Sequence, residues 1–133
     1  MKSNIIILTA IFPNKINLVG NQLENCILSI ERLKQSFEIF IVTNNTKKVF
    51  RIIKKNNFKL ENIIVENINF SNKNYLNNHK LKDFNYTFGK IQSLNIFLQR
   101  EKKFHSIIIS DIDSIFTKKI KNLTNKKNIV LLQ

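Results

Sequence analysis

Short apolar runs rich in β-branched residues alternate along this chain with segments in which apolar residues recur every three or four positions. The first run, residues 4–11 (NIIILTAI), is almost continuously apolar, as expected for a strand that is buried on both faces of a parallel sheet. Similar runs predict four more strands, over residues 38–43 (EIFIVT), 62–66 (NIIVE), 105–110 (HSIIIS) and 128–132 (NIVLL).

Three segments with helical spacing separate these strands. Residues 21–37 carry one apolar stripe, and Asn21 with Glu24 has the spacing of a capping box, which predicts that the helix begins at Asn21. Residues 46–57 predict a short helix with a lysine-rich outer face, and residues 87–101 predict a longer one. The stripe of the first helix consists of Leu23, Cys26, Ile27, Ile30, Leu33 and Phe37.

The alternation of strands and helices is typical of an α/β domain. We expect a Rossmann-like, mostly parallel sheet with flanking helices. Residues 67–85 show no clear period and predict a loop with one helical turn near Tyr75. A length of 133 residues and a hydrophobic fraction of 43% predict a single domain over residues 1–133.

The formal charge of +13 is only a weak indication of a nucleic-acid partner. Ile (23), Asn (21) and Lys (19) make up 63 of the 133 residues, which an A/T-rich genome produces without selection for charge. Only three of the 22 basic residues are Arg, the residue that reads bases and phosphates in a bidentate way. The lysine pairs are scattered over several predicted elements, and no nucleic-acid-binding motif is present. A basic nucleic-acid-binding module is therefore an alternative, and nucleic acid is not the expected partner.

Other patterns narrow the class of protein further. No run approaches the roughly 18 apolar residues of a membrane span. A single cysteine excludes an internal disulfide and a zinc site built from cysteines. Lys2 and the apolar run after it resemble the start of a secretion signal, but the run is short and no small-residue cleavage site follows. We expect no membrane span and a cytoplasmic location.

Two of the three aspartates in the chain lie one residue apart, directly after a strongly apolar predicted strand. Open α/β sheets bind their ligands at this carboxyl edge. On an extended backbone Asp111 and Asp113 would point to the same side, and a slight turn would also let both reach one cation. Carboxylates suit Mg²⁺ or Mn²⁺, which complete their coordination with water and substrate phosphates. The pair therefore predicts a metal site with a diphosphate ligand.

Residues 88–124, FGKIQSLNIFLQREKKFHSIIISDIDSIFTKKIKNLT, resemble the core of GT-A fold glycosyltransferases, in particular those related to glycogenin and to bacterial lipopolysaccharide galactosyltransferases. In that family a helix with a basic residue leads to an apolar strand, a D-x-D motif, an apolar pair and a short helix. The resemblance implies a metal-dependent transferase that binds a nucleotide-diphosphate sugar and transfers the sugar to an acceptor, which could be a glycan, a lipid or a protein.

The same resemblance implies roles for individual residues. Asp113 matches the aspartate that binds the Mn²⁺ or Mg²⁺ directly, and Asp111 matches the one that shares the metal and touches the ribose. Lys90 falls near the basic residue that contacts the donor diphosphate or sugar. The metal would act as a Lewis acid on the diphosphate leaving group, and Lys90 would add a second positive charge there.

Thr9 and Ala10 match the segment that lines the nucleotide base, and Asn44 is a further candidate for that pocket. Family members continue well past the motif, and their second half supplies the acceptor pocket. This chain has 20 residues after Asp113, so the resemblance predicts a donor-binding half without the acceptor half and assigns no catalytic residue.

A haloacid-dehalogenase-like phosphatase is the enzymatic alternative, because its nucleophile also lies in a D-x-D motif after an apolar strand. In that family the first aspartate attacks phosphorus, and the position two after the second aspartate is Thr or Val. Ile115 stands at that position here, and no later part of the chain holds the family's remaining motifs.

Overall fold

The computed structural model describes residues 3–12, 18–68, 82–101, 103–121 and 128–132. The strands are β1 (Asn4–Ala10), β2 (Glu38–Thr43), β3 (Ile63–Asn67), β4 (Ser106–Ser110) and β5 (Asn128–Leu132). The helices are α1 (Leu18–Arg32), α2 (Thr46–Lys55) and α3 (Lys82–Arg100), with a single 3₁₀ turn at Leu60–Asn62.

The five strands form one sheet in the order β3-β2-β1-β4-β5, and every neighbouring pair is parallel. This confirms the predicted α/β class with a Rossmann-like parallel sheet. The chain builds outward from β1 in one direction through β2 and β3, and then crosses to the other side of β1 for β4 and β5. The order therefore reverses between β1 and β4, which is the topological switch point of the sheet.

Each face of the sheet has its own apolar core. On one face, β1 residues such as Ile6 and Leu8 pack with α1 and α2, and on the other face Ile5 and Ile7 pack with α3. Phe97 of α3 is the centre of the second core, where its ring contacts two further rings edge-on. Both faces of β1 are thus covered, as the continuous apolar run predicts.

Helix α1 begins and ends earlier than its sequence pattern predicts. It starts at Leu18, so the predicted start at Asn21 is wrong, and Asn21 is an exposed residue within the first turn. The helix ends at Arg32 because Lys34 adopts a left-handed conformation with φ of 52°. The apolar stripe is nevertheless confirmed, since its members are all buried, including Leu33 and Phe37 beyond the helix.

The boundaries of the other two helices also differ from prediction. Helix α2 is capped by Asn45, whose side-chain oxygen accepts a hydrogen bond from the Lys48 N–H, and it ends at Lys55 before the left-handed Asn57. Helix α3 starts at Lys82, so the end of the predicted loop is helical. The predicted turn near Tyr75 lies outside the described residues.

Candidate functional site

The carboxyl ends of β1 and β4 meet at the switch point of the sheet. Ser110 pairs with Leu8 across the two strands, so the chain leaves β4 at Asp111 beside the last residues of β1. Open sheets of this class bind their ligands at the point where the strand order reverses. The D-x-D motif therefore lies where this class of sheet binds ligands.

Asp111 forms an ion pair with Lys90 of α3 through its Oδ1 atom. Side chains alternate along β4, and Asp111 continues the face of Ile109, which packs in the core beneath α3. Both partners are about two-thirds buried, with side-chain exposures of 28% for Lys90 and 33% for Asp111. Two residues that the family resemblance assigns to one site are therefore in direct contact.

The backbone turns immediately after Asp111. The Ser114 N–H donates to the Asp111 carbonyl at 3.2 Å, and the Ser110 hydroxyl donates to the same oxygen at 3.1 Å. An extended backbone through the motif, which would point both carboxylates to one side, is therefore wrong. Asp113 occupies the third position of this turn and is exposed.

Asp113 lies close enough to α1 for its charge to act on Cys26. Burial raises the pKa of the Cys26 thiol to about 12, and the Asp113 carboxylate contributes to the same shift. The Cys26 Sγ is also 4.0 Å from the Asp111 carbonyl oxygen. Cys26 is a buried, protonated thiol that packs beneath the turn, and its apolar position on α1 is confirmed.

Thr9 and Ala10 lie at the carboxyl end of β1, as predicted, but neither presents its side chain to an open surface. Ala10 is fully buried in the core beneath α1, and Thr9 is 6% exposed and faces α3. A nucleotide base at this edge would therefore meet the main chain after β1 rather than these two side chains.

Helix α3 approaches β1 closely through two small residues, Gly89 and Ser93, four positions apart. The Ser93 hydroxyl donates to the Gly89 carbonyl at 2.7 Å, so the Thr9 hydroxyl is the donor in the 2.8 Å bond between Thr9 and Ser93. A Cβ atom on Gly89 would lie 3.2 Å from the Thr9 Cγ2 atom. This close packing places Lys90, the next residue, at the edge of the sheet beside Asp111.

We expect Gly89→Ala to be coupled energetically to Thr9. In the wild-type background the new methyl group crowds Thr9 Cγ2, whereas Thr9→Ser removes that atom and keeps the hydroxyl. Gly89→Ala should therefore be about 1 kcal/mol less destabilising, or more stabilising, in the Thr9→Ser background than in the wild-type background. Urea denaturation of the four proteins of this cycle measures the difference, and strictly additive effects would contradict the packing described here.

Asn44 holds the chain that follows β1. Its side-chain oxygen accepts from the Phe12 N–H at 2.8 Å, and its amide nitrogen donates to the Phe12 carbonyl at 3.0 Å. The structure thus gives Asn44 a positioning role, because both ends of its amide are already engaged with the main chain. Asn44 was predicted to line the nucleotide pocket, and with both ends of its amide engaged it would act there through the main chain that it positions.

The segment after the motif has no helix over residues 114–121, in contrast to the short helix that the family resemblance predicts. It lies instead across α1. The Phe116 N–H donates to the Ser29 hydroxyl at 3.0 Å, and the Gln35 side chain exchanges two 2.9 Å hydrogen bonds with the main chain of Ile120. Ser29 and Gln35 are positioning residues that no local sequence pattern indicates, because their partners lie more than 80 positions away.

Two carboxylates at this edge, those of Asp111 and Asp113, are hard oxygen groups of the kind that divalent cations such as Mg²⁺ bind. Asp113 is exposed. The Oδ1 atom of Asp111 contacts Lys90, which leaves its Oδ2 atom for another ligand. Within the part of the chain that the structure describes, no group of three or more Asp, Glu, His or Cys side chains could form a metal site. Mg²⁺ and Mn²⁺ tolerate this, since they are commonly held by one or two carboxylates together with water and phosphate oxygens.

No known protein-family model matches this chain, and no curated protein or solved structure matches it either. None of the helices among the described residues combines the length and the apolarity needed to cross a membrane, in agreement with the sequence.

Proposed function

We propose that this chain binds a nucleotide-diphosphate sugar through a divalent cation held by Asp111 and Asp113, as the donor-binding part of a GT-A-like glycosyltransferase. The observation that carries the proposal is the contact of Asp111 with Lys90 at the switch point between β1 and β4. A glycan, lipid or protein would accept the sugar. We also propose that the protein is cytoplasmic, as its sequence predicts.

The charges at this edge support binding of a cation and a diphosphate together. Asp111, Asp113 and Lys90 sum to one net negative charge, which attracts a divalent cation. With the cation bound the sum becomes one net positive charge, which favours an anionic diphosphate. The order of elements, with Lys90 on α3 before β4 and the motif after it, is also that of the family the sequence resembles.

Each residue would then have a defined task in the bound state. Asp113, exposed at the turn, and the Oδ2 atom of Asp111 would hold Mg²⁺ or Mn²⁺. The metal would supply Lewis-acid stabilisation of the charge on the leaving diphosphate. Lys90 would donate hydrogen bonds to a phosphate oxygen, and the main chain after β1, held by Asn44, would border the nucleoside.

A calorimetric titration tests the proposal. UDP, GDP and TDP are titrated in turn into the protein with Mn²⁺ and, separately, with a chelator. We expect one of them to bind at least about tenfold more tightly with Mn²⁺, because the carboxylates repel the diphosphate when no cation is present. Equal affinity with and without metal would refute the site. Tight, salt-sensitive binding of random oligonucleotides would instead favour the nucleic-acid alternative.

Lys90→Met should change metal and diphosphate affinity in opposite directions. Lys90 competes with a cation for Asp111, so its removal should raise the affinity for Mn²⁺ alone by roughly three- to tenfold. The same change removes a positive charge from the diphosphate, so nucleoside diphosphate affinity in the presence of Mn²⁺ should fall by a similar factor.

The control for this variant is Lys103→Met. Lys103 is an exposed lysine that precedes β4, at the end of the sheet opposite the motif. Lys103→Met removes the same charge without altering the contact of Lys90 with Asp111. The affinities for Mn²⁺ and for the nucleoside diphosphate should therefore both stay within about twofold of wild type. Parallel changes in the two affinities of Lys90→Met would contradict the competition between Lys90 and the cation.

A further inference from the structure

A second, basic cleft lies between α1 and α2, on the sheet face opposite to α3. Its volume is about 240 Å³, and the residues that matter for its chemistry are Phe12, Glu24, Lys48, Arg51, Ile52 and Lys55. Neither Asp111 nor Asp113 lines it. Ligand binding in this cleft can therefore be tested separately from the D-x-D motif.

One face of α2 supplies half of the residues that line the cleft. Lys48, Arg51, Ile52 and Lys55 follow one another at helical spacings, so their side chains lie along a single stripe. The two remaining lysines of α2, Lys47 and Lys54, are exposed and do not line the cleft. The basic residues of α2 thus fall into two groups, one that lines the cleft and one that faces solvent.

The cations of the cleft are only partly neutralised. Lys55 pairs with Glu24 at 3.5 Å, and the Lys48 ammonium lies 5.3 Å from the centre of the Phe12 ring. Among the described residues, ion pairs join Lys55 to Glu24, Lys90 to Asp111 and Arg100 to Glu66, and neither Lys48 nor Arg51 takes part in one. Two positive charges, those of Lys48 and Arg51, therefore line the cavity outside the ion pairs of the described residues.

The chemistry of these two groups indicates the kind of anion. An arginine fork recognises planar pairs of oxygens, and a lysine one helical turn away adds a point charge. Two unmatched positive charges balance a phosphate dianion better than a carboxylate, which carries one charge. The small volume leaves room for a phosphate group and a few attached atoms, below the range of typical drug-sized sites.

We propose that this cleft binds a small phosphate monoester, such as a phosphorylated sugar, without a metal ion. Arg51 and Lys48 hold the phosphate oxygens, the Phe12 ring lies against the Lys48 ammonium, and the Glu24–Lys55 pair also lines the cleft. The proposal does not rest on the function of the D-x-D edge.

The test is a titration of glucose 6-phosphate and of inorganic phosphate into the full chain, in the presence of a chelator, followed by amide chemical shifts and calorimetry. We expect shifts confined to the beginning of α1 and to α2. The double variant Lys48→Gln/Arg51→Gln should weaken binding at least tenfold, as two charge-assisted contacts are lost. The double variant Lys47→Gln/Lys54→Gln loses the same charge from the other face of α2 and should weaken binding less than twofold.

Two further measurements separate the outcomes. Among the described residues that line the cleft, Glu24 alone carries a carboxylate, so Glu24→Gln should strengthen phosphate binding by about two- to fivefold, a change in the opposite direction. Asp113→Asn should leave binding unchanged. Equal weakening of binding in the two double variants would overturn the proposal. Weaker phosphate binding in Asp113→Asn, or no binding up to roughly 10 mM phosphate, would overturn it as well. Tighter binding of glucose 6-phosphate than of inorganic phosphate identifies a monoester, and equal binding overturns that choice of ligand.

Discussion

Asp113→Asn abolishes metal-dependent binding of the nucleoside diphosphate if the motif holds the cation. Asparagine has nearly the same shape, so the exposed turn that begins at Asp111 should persist while one anionic ligand is lost. We expect the affinity for the diphosphate with Mn²⁺ to fall by roughly a hundredfold or more, since even the outer partners of metal ligands contribute ten- to hundredfold. Calorimetry with the same nucleoside diphosphate and Mn²⁺ measures the loss.

Two further variants make this result specific. Glu61→Gln removes an exposed carboxylate in the 3₁₀ turn before β3, outside the proposed site, and should bind like the wild type. Asp111→Asn should also abolish the metal dependence, because it removes the second carboxylate and releases Lys90. An Asp113→Asn protein that still binds the diphosphate with full metal dependence would show that the cation lies elsewhere. Hydrolysis of a generic phosphate ester that is lost in Asp111→Asn would favour the phosphatase alternative.

Phe97→Ala should cause a large loss of stability. Phe97 is 2% exposed, and its ring lies 5.3 Å from Phe40 and 6.0 Å from Phe104 in edge-on contacts that attach α3 to the sheet. Truncating a buried phenylalanine costs about 3–5 kcal/mol, which is a large part of the total stability of a small domain. Thermal and urea denaturation measure the change.

Phe50 provides the matched control for that truncation. It is a phenylalanine on a helix, like Phe97, but it lies on α2 with 48% of its surface exposed. Phe50→Ala should therefore change the free energy of unfolding by less than about 1 kcal/mol. Comparable losses in the two variants would contradict the assignment of Phe97 to the core beneath α3.

The parallel sheet could be predicted because β1, β2 and β4 are local runs of mostly apolar residues that are buried almost throughout in a sheet flanked by helices. The ends of the helices could not be predicted as well. Helix α1 begins before the apparent cap at Asn21 and ends at Arg32, two residues before the left-handed Lys34, a conformation that a lysine in a polar sequence does not signal. Helix α3 likewise begins earlier, at Lys82, than its apolar period.

The candidate site was predictable where its chemistry is local and unpredictable where it depends on distant partners. Asp111 and Asp113 follow an apolar run with only Ile112 between them, so their position at the sheet edge follows from the sequence. The engagement of Asn44 with Phe12 does not, because that contact spans 32 positions and forms only once β1 and β2 pair. The turn within the motif likewise contacts Cys26 of α1, which lies 85 positions earlier in the chain.

The central claim is that a divalent cation and a diphosphate bind together at the carboxyl ends of β1 and β4. Paramagnetic broadening of backbone amide signals by Mn²⁺, recorded with the nucleoside diphosphate present, locates the cation directly. Broadening should be strongest for residues 110–114, which carry the motif, and for residues 9–12, which end β1 and lead away from it. Loss of this pattern in Asp113→Asn would agree with the account. Broadening centred on another part of the chain, or an unchanged pattern in that variant, would contradict it.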